Sequence, residues 1–341
     1  MAGGERQGDP LPFPILIGDI GGTNARFALL TDANAPTLPL ARARTTDYAT
    51  FDDAVAATLG EGDVPPRSAL LAVAAPIAGD EVPLTNCPWV IAPNRLIDRF
   101  GLSDLALLND FEAQALSLPE LRGEDIDLIG DGAMTADGPR MVVGPGTGLG
   151  AAGLLRARGM WVPIPGQGGH LDLAPLSERD FALWPHIERP HGRIEGETVI
   201  SGSGLLRLYR AICATDGIEP RHATPEAVTD AALAAHDREA REAVDLFATY
   251  LGRYAGDLAL VFLPSGGVYL GGGIPRKIAP VLKAGGFRKA FVAKPPHGEL
   301  LSGYATAIIT RHDVALTGVA AFARAPERFG VDLGGRRWRR G

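Results

Sequence analysis

The sequence predicts an α/β protein of two domains with mixed sheets, and three observations carry that expectation. Apolar runs of strand length alternate with segments of helical spacing along most of the chain. Two of those runs turn straight back through glycines into a second strand, which adds antiparallel pairs to otherwise parallel sheets. The 341 residues also exceed what one core accommodates, since cores stop growing near roughly 250–300 residues.

Taken in order, residues 1–14 (MAGGERQGDPLPFP) read as a flexible arm. ILIGDIGG (15–22) is an apolar strand entering glycines, and ARFALL (25–30) returns beside it as a hairpin. LARART (40–45) suits a third strand, and FDDAVAATL (51–59) has helical spacing with Gly60 as its stop. SALLAVAAP (68–76) is a buried strand ended by proline. PNRLIDRFG (93–101) is a helix with proline in its first turn and glycine at its end. LALLNDF (105–111) is another buried strand, continued by the helix FEAQALSL.

MVVGPGTGLGAAGLL (141–155) then repeats the opening layout of strand, glycine turn and strand, which suggests a duplicated plan. Downstream come a long helical pattern over 236–263, the strand GVYLGGG (267–273), the strand ATAIITR (305–311) and the closing helix LTGVAAFAR (316–324). The polar, Gly- and Asp-rich stretch within 113–140 marks a boundary. The expected organisation is therefore an arm over 1–14, a small α/β domain over 15–112, a large one over 113–325 and a basic tail over 326–341. The closing helix packs back on the fold.

Composition removes several function classes. A net charge of −7 and a pI near 5.5 argue against nucleic-acid binding, which needs a basic face. The run RRWRR (336–340) reads as a solvated end. Two cysteines, Cys87 and Cys213, cannot make a disulfide framework and fit a reducing, cytoplasmic compartment. The N-terminal MAGGERQGDPLPFP has no apolar run of signal-peptide length, and no segment approaches the apolar length of a membrane span. The four lysines are Lys277, Lys283, Lys289 and Lys294, and no Gly-Lys dipeptide exists. A Walker-type loop and an early-strand kinase lysine are thereby excluded. If the chain handles ATP, backbone amides, hydroxyls and Mg²⁺ must hold the phosphates.

Three glycine turns follow strands: GDIGGT (18–23), GPGTGLG (144–150) and GGG (271–273), with Gly272 at the centre of the last. Such turns let amides approach an anion closely and form phosphate cradles, and two of them carry a threonine, Thr23 and Thr147. Their spacing is not that of a dinucleotide-binding fold. Asp19 inside the first turn would repel a phosphate unless a cation bridged them, so it points to water-shelled Mg²⁺; a turn-forming aspartate is the other reading. Asn109 and Asp110 close a buried strand, where α/β folds place ligands, and the same pair suits a helix N-cap. GQGGH (166–170) presents Gln167 and His170 from flexible turns, either to a small polyol or as a surface loop. Glu197 suits a helix start.

Over residues 15–324 these segments, in matching order, resemble the bacterial glucokinase family of the actin/hexokinase/Hsp70-like superfamily. GDIGGTNARFAL resembles its first phosphate loop, LTNCPW (84–89) a segment preceding the sugar site, and LLNDFEA the segment with the catalytic aspartate. GPGTGLG resembles its second phosphate loop, PGQGGHLDLAP its sugar loop, and ETVISGSGL a further sugar and nucleotide segment. The resemblance implies two domains of duplicated ribonuclease-H-like, actin-like ATPase type with a cleft between them. It implies Asp110 as catalytic base, with Asn109, Gln167, His170 and Glu197 as sugar contacts. Gly18, Asp19, Ile20, Gly21, Gly22, Thr23, Thr147, Gly148 and Gly272 would serve ATP, with Mg²⁺ near Asp19. The activity implied is phosphorylation of glucose to glucose 6-phosphate by a cytoplasmic homodimer.

Two departures stand out. Gln167 replaces the family's usual glutamate, and Ser203 replaces a proline. Glutamine keeps the length but loses the charge, which leaves open a kinase for another hexose, or a sugar- and nucleotide-binding regulatory protein with weak transfer.

Overall fold

The computed structural model describes residues 9–60, 64–85 and 87–341. Asn86 of the LTNCPW segment and most of the expected N-terminal arm lie outside them. The chain divides into two units, 1–121 with 154–165 and 312–341, and 122–153 with 166–311.

In the first unit the apolar runs form a seven-stranded sheet, in the order Arg337–Arg339, Asp104–Asn109, Ser68–Val73, Ile15–Ile20, Asn24–Leu30 and Leu38–Pro39, with Ala43–Arg44 also on Asn24–Leu30. Ile15–Ile20 and Asn24–Leu30 are the antiparallel hairpin, and Ser68–Val73 and Asp104–Asn109 extend it in parallel. Every residue of Ser68–Val73 is buried, as a strand covered on both faces requires. Leu16, Ile20, Phe27, Phe51, Leu71 and Trp89 share one core. Of the expected third strand over 40–45 only Ala43–Arg44 forms, and a separate two-residue strand, Leu38–Pro39, precedes it.

A six-stranded sheet runs Met160–Gly166, Leu149–Ala157, Arg140–Pro145, Val268–Leu270, Thr306–Ile309, Ile126–Ile129. The inner pairs from Arg140–Pro145 to Thr306–Ile309 are parallel, and Ile126–Ile129 closes the edge antiparallel. Apart from the extra strand Ala43–Arg44, the two orders correspond: outer strand, hairpin, two parallel strands, antiparallel edge. The duplication expected from sequence is thus present in topology. Helix Arg238–Phe262, capped by Asp237, buries Phe247, Tyr250, Leu251 and Tyr254 in the second unit's core.

Two expectations are corrected. The basic tail is an ordered edge strand, Arg337–Arg339, antiparallel to Asp104–Asn109; backbone pairing and buried acids outweigh the hydration of its arginines. The described part of the arm is also held: Leu11 is buried, and Ser68 Oγ donates to Pro12 O at 2.8 Å. The closing helix, Val314–Arg324, packs against Asp110–Ser117 so closely that a Cβ on Gly318 would lie 1.8 Å from Ala113 O.

Candidate active site

In the first unit, the parallel strand Asp104–Asn109 runs directly into helix Asp110–Ser117. Asn109 is the N-cap: its Oδ1 accepts the amides of Phe111 (3.0 Å) and Glu112 (3.3 Å). Glu112 returns a bond, its Oε2 accepting Asn109 N–H at 3.2 Å, so a reciprocal capping box closes the turn. Asn109 Nδ2 also donates to Asp110 Oδ1 at 3.0 Å. The N-cap reading of this pair therefore holds, with Asn109 as the cap and Asp110 as the first helical residue. Asn109 spends its oxygen on the helix and keeps one amide hydrogen.

Removal from water raises the Asp110 carboxyl to about 7, the negative charge of Asp19 adds to the rise, and bonds from the Phe111 and Asp110 amides and Asn109 only partly oppose it. Asp19 is raised too, first by burial, against the charge and hydrogen bond of Arg26. Arg26 Nη1 lies 3.0 Å from Asp19 Oδ2, and its Nε 3.5 Å from Asp313 Oδ1. Arg26, on strand Asn24–Leu30, is thus paired within the fold.

Gly18, Asp19 and Ile20 lie inside strand Ile15–Ile20, with neighbours on both sides. The turn itself is Gly21-Gly22-Thr23, closed by Gly21 N–H donating to Asn24 O at 3.0 Å. Thr23 is its exposed tip. None of these glycines has positive φ, so what they offer is close approach, and Gly18 and Ile20 sit in the ladder behind the turn.

In the second unit the corresponding turn is Gly146-Thr147-Gly148, closed by Gly146 N–H donating to Gly148 O at 2.8 Å, again with its threonine exposed. Here the carboxylate comes from another segment. Glu197 Oε2 accepts Leu149 N–H at 2.8 Å, and a Cβ on Gly148 would lie 2.4 Å from that oxygen. Gly202 N–H also donates to Gly146 O at 2.9 Å. The ETVISGSG segment therefore clamps this loop from both ends. Gly272 has φ of +90° against Pro145 O, which admits only glycine.

The sugar loop follows strand Met160–Gly166. Gln167 is exposed, and His170 N–H donates to Gln167 O at 3.1 Å in a short turn. Tyr254 holds this turn, its hydroxyl donating to Gly168 O and accepting Leu171 N–H at 3.2 Å. Beneath it lies Glu195, with a carboxylate 3% exposed. It meets His170 Nδ1 at 3.0 Å, His191 Nδ1 at 3.1 Å and Arg193 Nη2 at 2.7 Å. Burial pushes this carboxyl up, but the hydrogen bonds and charges of His170, His191 and Arg193 win and hold it below the usual range. Ligand atoms of His170, Glu195 and Glu197 lie within 4.8 Å of one another.

Asp19, Asn109 and Asp110 thus gather in the first unit, and Thr147, Gly148, Gln167, His170, Glu197 and Gly272 belong to the second. Glu195, Tyr254 and Glu112 were not singled out in the sequence. Glu112 sits three residues after Asn109 in a capping-box spacing that points to it; Glu195 and Tyr254 carry no comparable local signal.

A duplicated mixed-sheet fold, with a glycine turn at the hairpin of each sheet and a raised carboxyl at the end of a parallel strand, defines an ATPase-type phosphotransferase of the actin-like class. Residues 16–326 match the family model described as Glucokinase. A glucokinase of Rhizobium johnstonii is 53% identical over 332 residues, 97% of each chain, and one of Brucella suis is 52% identical over 328 residues, 96% of each. The crystal structure of a glucokinase from an Antarctic psychrotroph superposes with a TM-score of 0.78 at 32% identity, covering 91% of this chain and 98% of that one. The chain belongs to the glucokinase family.

Proposed function

We propose that this chain transfers the γ-phosphoryl of ATP in line to the 6-hydroxyl of glucose, giving glucose 6-phosphate, with Asp110 as base. The observation that carries the reading is the Asp110 carboxyl, raised to about 7 at a strand end. A base works best with a pKa near the operating pH. As the bond from O6 to the γ-phosphorus forms and that to the β-phosphate oxygen breaks, the O6 proton passes to Asp110. Phosphoryl transfer has a loose transition state, so Asp110 mainly orients the hydroxyl and takes its proton late.

Asn109, Gln167, His170 and Glu197 are proposed to hold the hexose, and the Gly21–Thr23 and Thr147–Gly148 turns, with Gly272, the phosphates. Asp19 suits Mg²⁺ as a hard oxygen donor, with Arg26 occupying one oxygen and leaving the other for the ion's water shell. When bound, the ion would neutralise charge on the phosphates. A homodimer is proposed on family grounds, and sedimentation equilibrium tests it. The two free thiols, Cys87 and Cys213, support a cytoplasmic setting. No described helix is long and apolar enough to cross a membrane.

The test is coupled ADP release over glucose, mannose, fructose, glucosamine and N-acetylglucosamine. Glucose turnover well above the ATPase background is expected. Turnover no higher than background for every sugar would sink the reading. Preference for another hexose would favour the second reading, motivated by Gln167.

A further inference from the structure

The C-terminal strand lies beyond the matched family region, which ends at residue 326, yet it meets the segment that carries Asp110. Its position is the one that Ile126–Ile129 takes in the other sheet: the antiparallel edge beside the last parallel strand. Arg336 O accepts Leu107 N–H at 2.9 Å. Its guanidinium turns inward to Glu112, with Nη1 2.5 Å from Oε2 and Nη2 3.3 Å from Oε1. Glu112 is 1% exposed, and its Oε2 also receives the Asn109 amide. One oxygen therefore joins the tail to the N-cap, and Asn109 passes the restraint to Asp110 Oδ1. The neighbouring Arg337 is bound elsewhere: it forks onto buried Asp104 (Nε to Oδ1 2.9 Å) and donates to Asp9 O at 2.7 Å.

We infer that Arg336 is a positioning residue for the reaction: it forks onto buried Glu112, so that the capping box holds Asn109 and Asp110 in one geometry. The inference rests on reading Asp110 as the base. A buried carboxylate with no cation would swing toward water or take a proton, and in either case would loosen its bond to the Asn109 amide. Misplacing a reacting group by a fraction of an ångström costs turnover more than binding.

The experiment compares Arg336→Gln, Arg336→Lys and Arg337→Gln in the full chain, reading kcat, KM for glucose and Tm. Arg336→Gln is expected to lower kcat on the order of tenfold, with KM within about twofold. Arg336→Lys keeps the charge without the fork and is expected to recover part of that loss, to about threefold below wild type. Arg337→Gln is expected to lower Tm and leave kcat within about twofold. Should Arg336→Gln fail to accumulate, Arg336→Lys carries the test, with kcat about threefold down and KM unchanged. Unchanged kcat per folded enzyme, or a rise in KM alone, overturns the inference. Asp110→Asn is run alongside: near wild-type turnover there brings down the base assignment itself, so the two failures are told apart.

Discussion

Asp110 and Glu195 are both acids withdrawn from water, one in each unit, and their neighbourhoods drive them in opposite directions. Asp110 faces a second carboxylate, Asp19, and receives only neutral donors, so its carboxyl rises to about 7. Glu195 is ringed by His170, His191 and Arg193, and its carboxyl stays low. Burial pushes both upward; the partners decide the outcome. A group that must accept a proton during turnover sits where the proton is welcome. One that must hold a histidine in place sits where it stays charged. On the proposed reading, the contrast separates a residue that does chemistry, Asp110, from one that orients a neighbour, Glu195.

Removing the first carboxylate gives the largest expected effect. Asp110→Asn keeps size and much of the hydrogen bonding but cannot take the O6 proton. Its kcat is expected to fall at least about a hundredfold, with glucose binding still measurable by calorimetry. Glu195→Gln should act differently. Its buried anion lies 3.0 Å from His170 Nδ1 and so sets the orientation of that ring. Losing a charge-assisted bond of about 1.5–3 kcal/mol from that arrangement should raise KM for glucose about tenfold, with kcat within about threefold. Equal losses of kcat in the two variants would erase the distinction.

The pH profile sharpens the same comparison. kcat/KM reports the free enzyme, and a base must be deprotonated to act. With Asp110 at about 7, kcat/KM should fall as pH drops below about 7 and level off above it. Glu195, held low, stays ionised through that window and should add no limb of its own. Wild type and Glu195→Gln, compared from pH 5.5 to 8.5, should therefore share the limb near 7. A limb that moves with Glu195 would assign it to the wrong carboxylate.

The Asp110 half of the contrast was legible in the sequence, and the Glu195 half was not. LLND places an acid at the end of an apolar run, a pattern that survives because a parallel strand must be apolar up to the point where it meets solvent. The hairpins and their glycine turns were visible for the same local reason. Glu195 acts on His170 from 25 positions away, and Arg336 on Glu112 from 224. No periodicity reports such pairs. RRWRR reads as a solvated tail because charge is its only local signal. Its strand exists through backbone pairing with Asp104–Asn109 and through acids, Asp104 and Glu112, set far back in the chain. Gly18 and Ile20 show the other side of this: they continue the ladder, as the apolar run ILIGDI predicts, and the glycine turn proper begins only at Gly21.

The smallest expected effect concerns the residue that departs from the family pattern. Gln167 opens the sugar loop and is exposed, while the buried anion of this loop is Glu195, one layer below. The loop thus keeps a negative charge where it orients His170, and presents a neutral amide at the position proposed to meet the hexose. Gln167→Glu would restore a charged acceptor there, and charge-assisted bonds are roughly twice as strong as neutral ones. At the surface, the gain is limited to about 1 kcal/mol, or about fivefold in glucose affinity. Because Glu195 and Asp110 are untouched, kcat should stay within about twofold. Titration calorimetry with glucose and the hexose panel, run on both forms, check this together. Unchanged glucose affinity with an unchanged ranking of sugars would show that residue 167 does not face the hexose, and that discrimination rests on His170, Glu197 and the carboxylate beneath them.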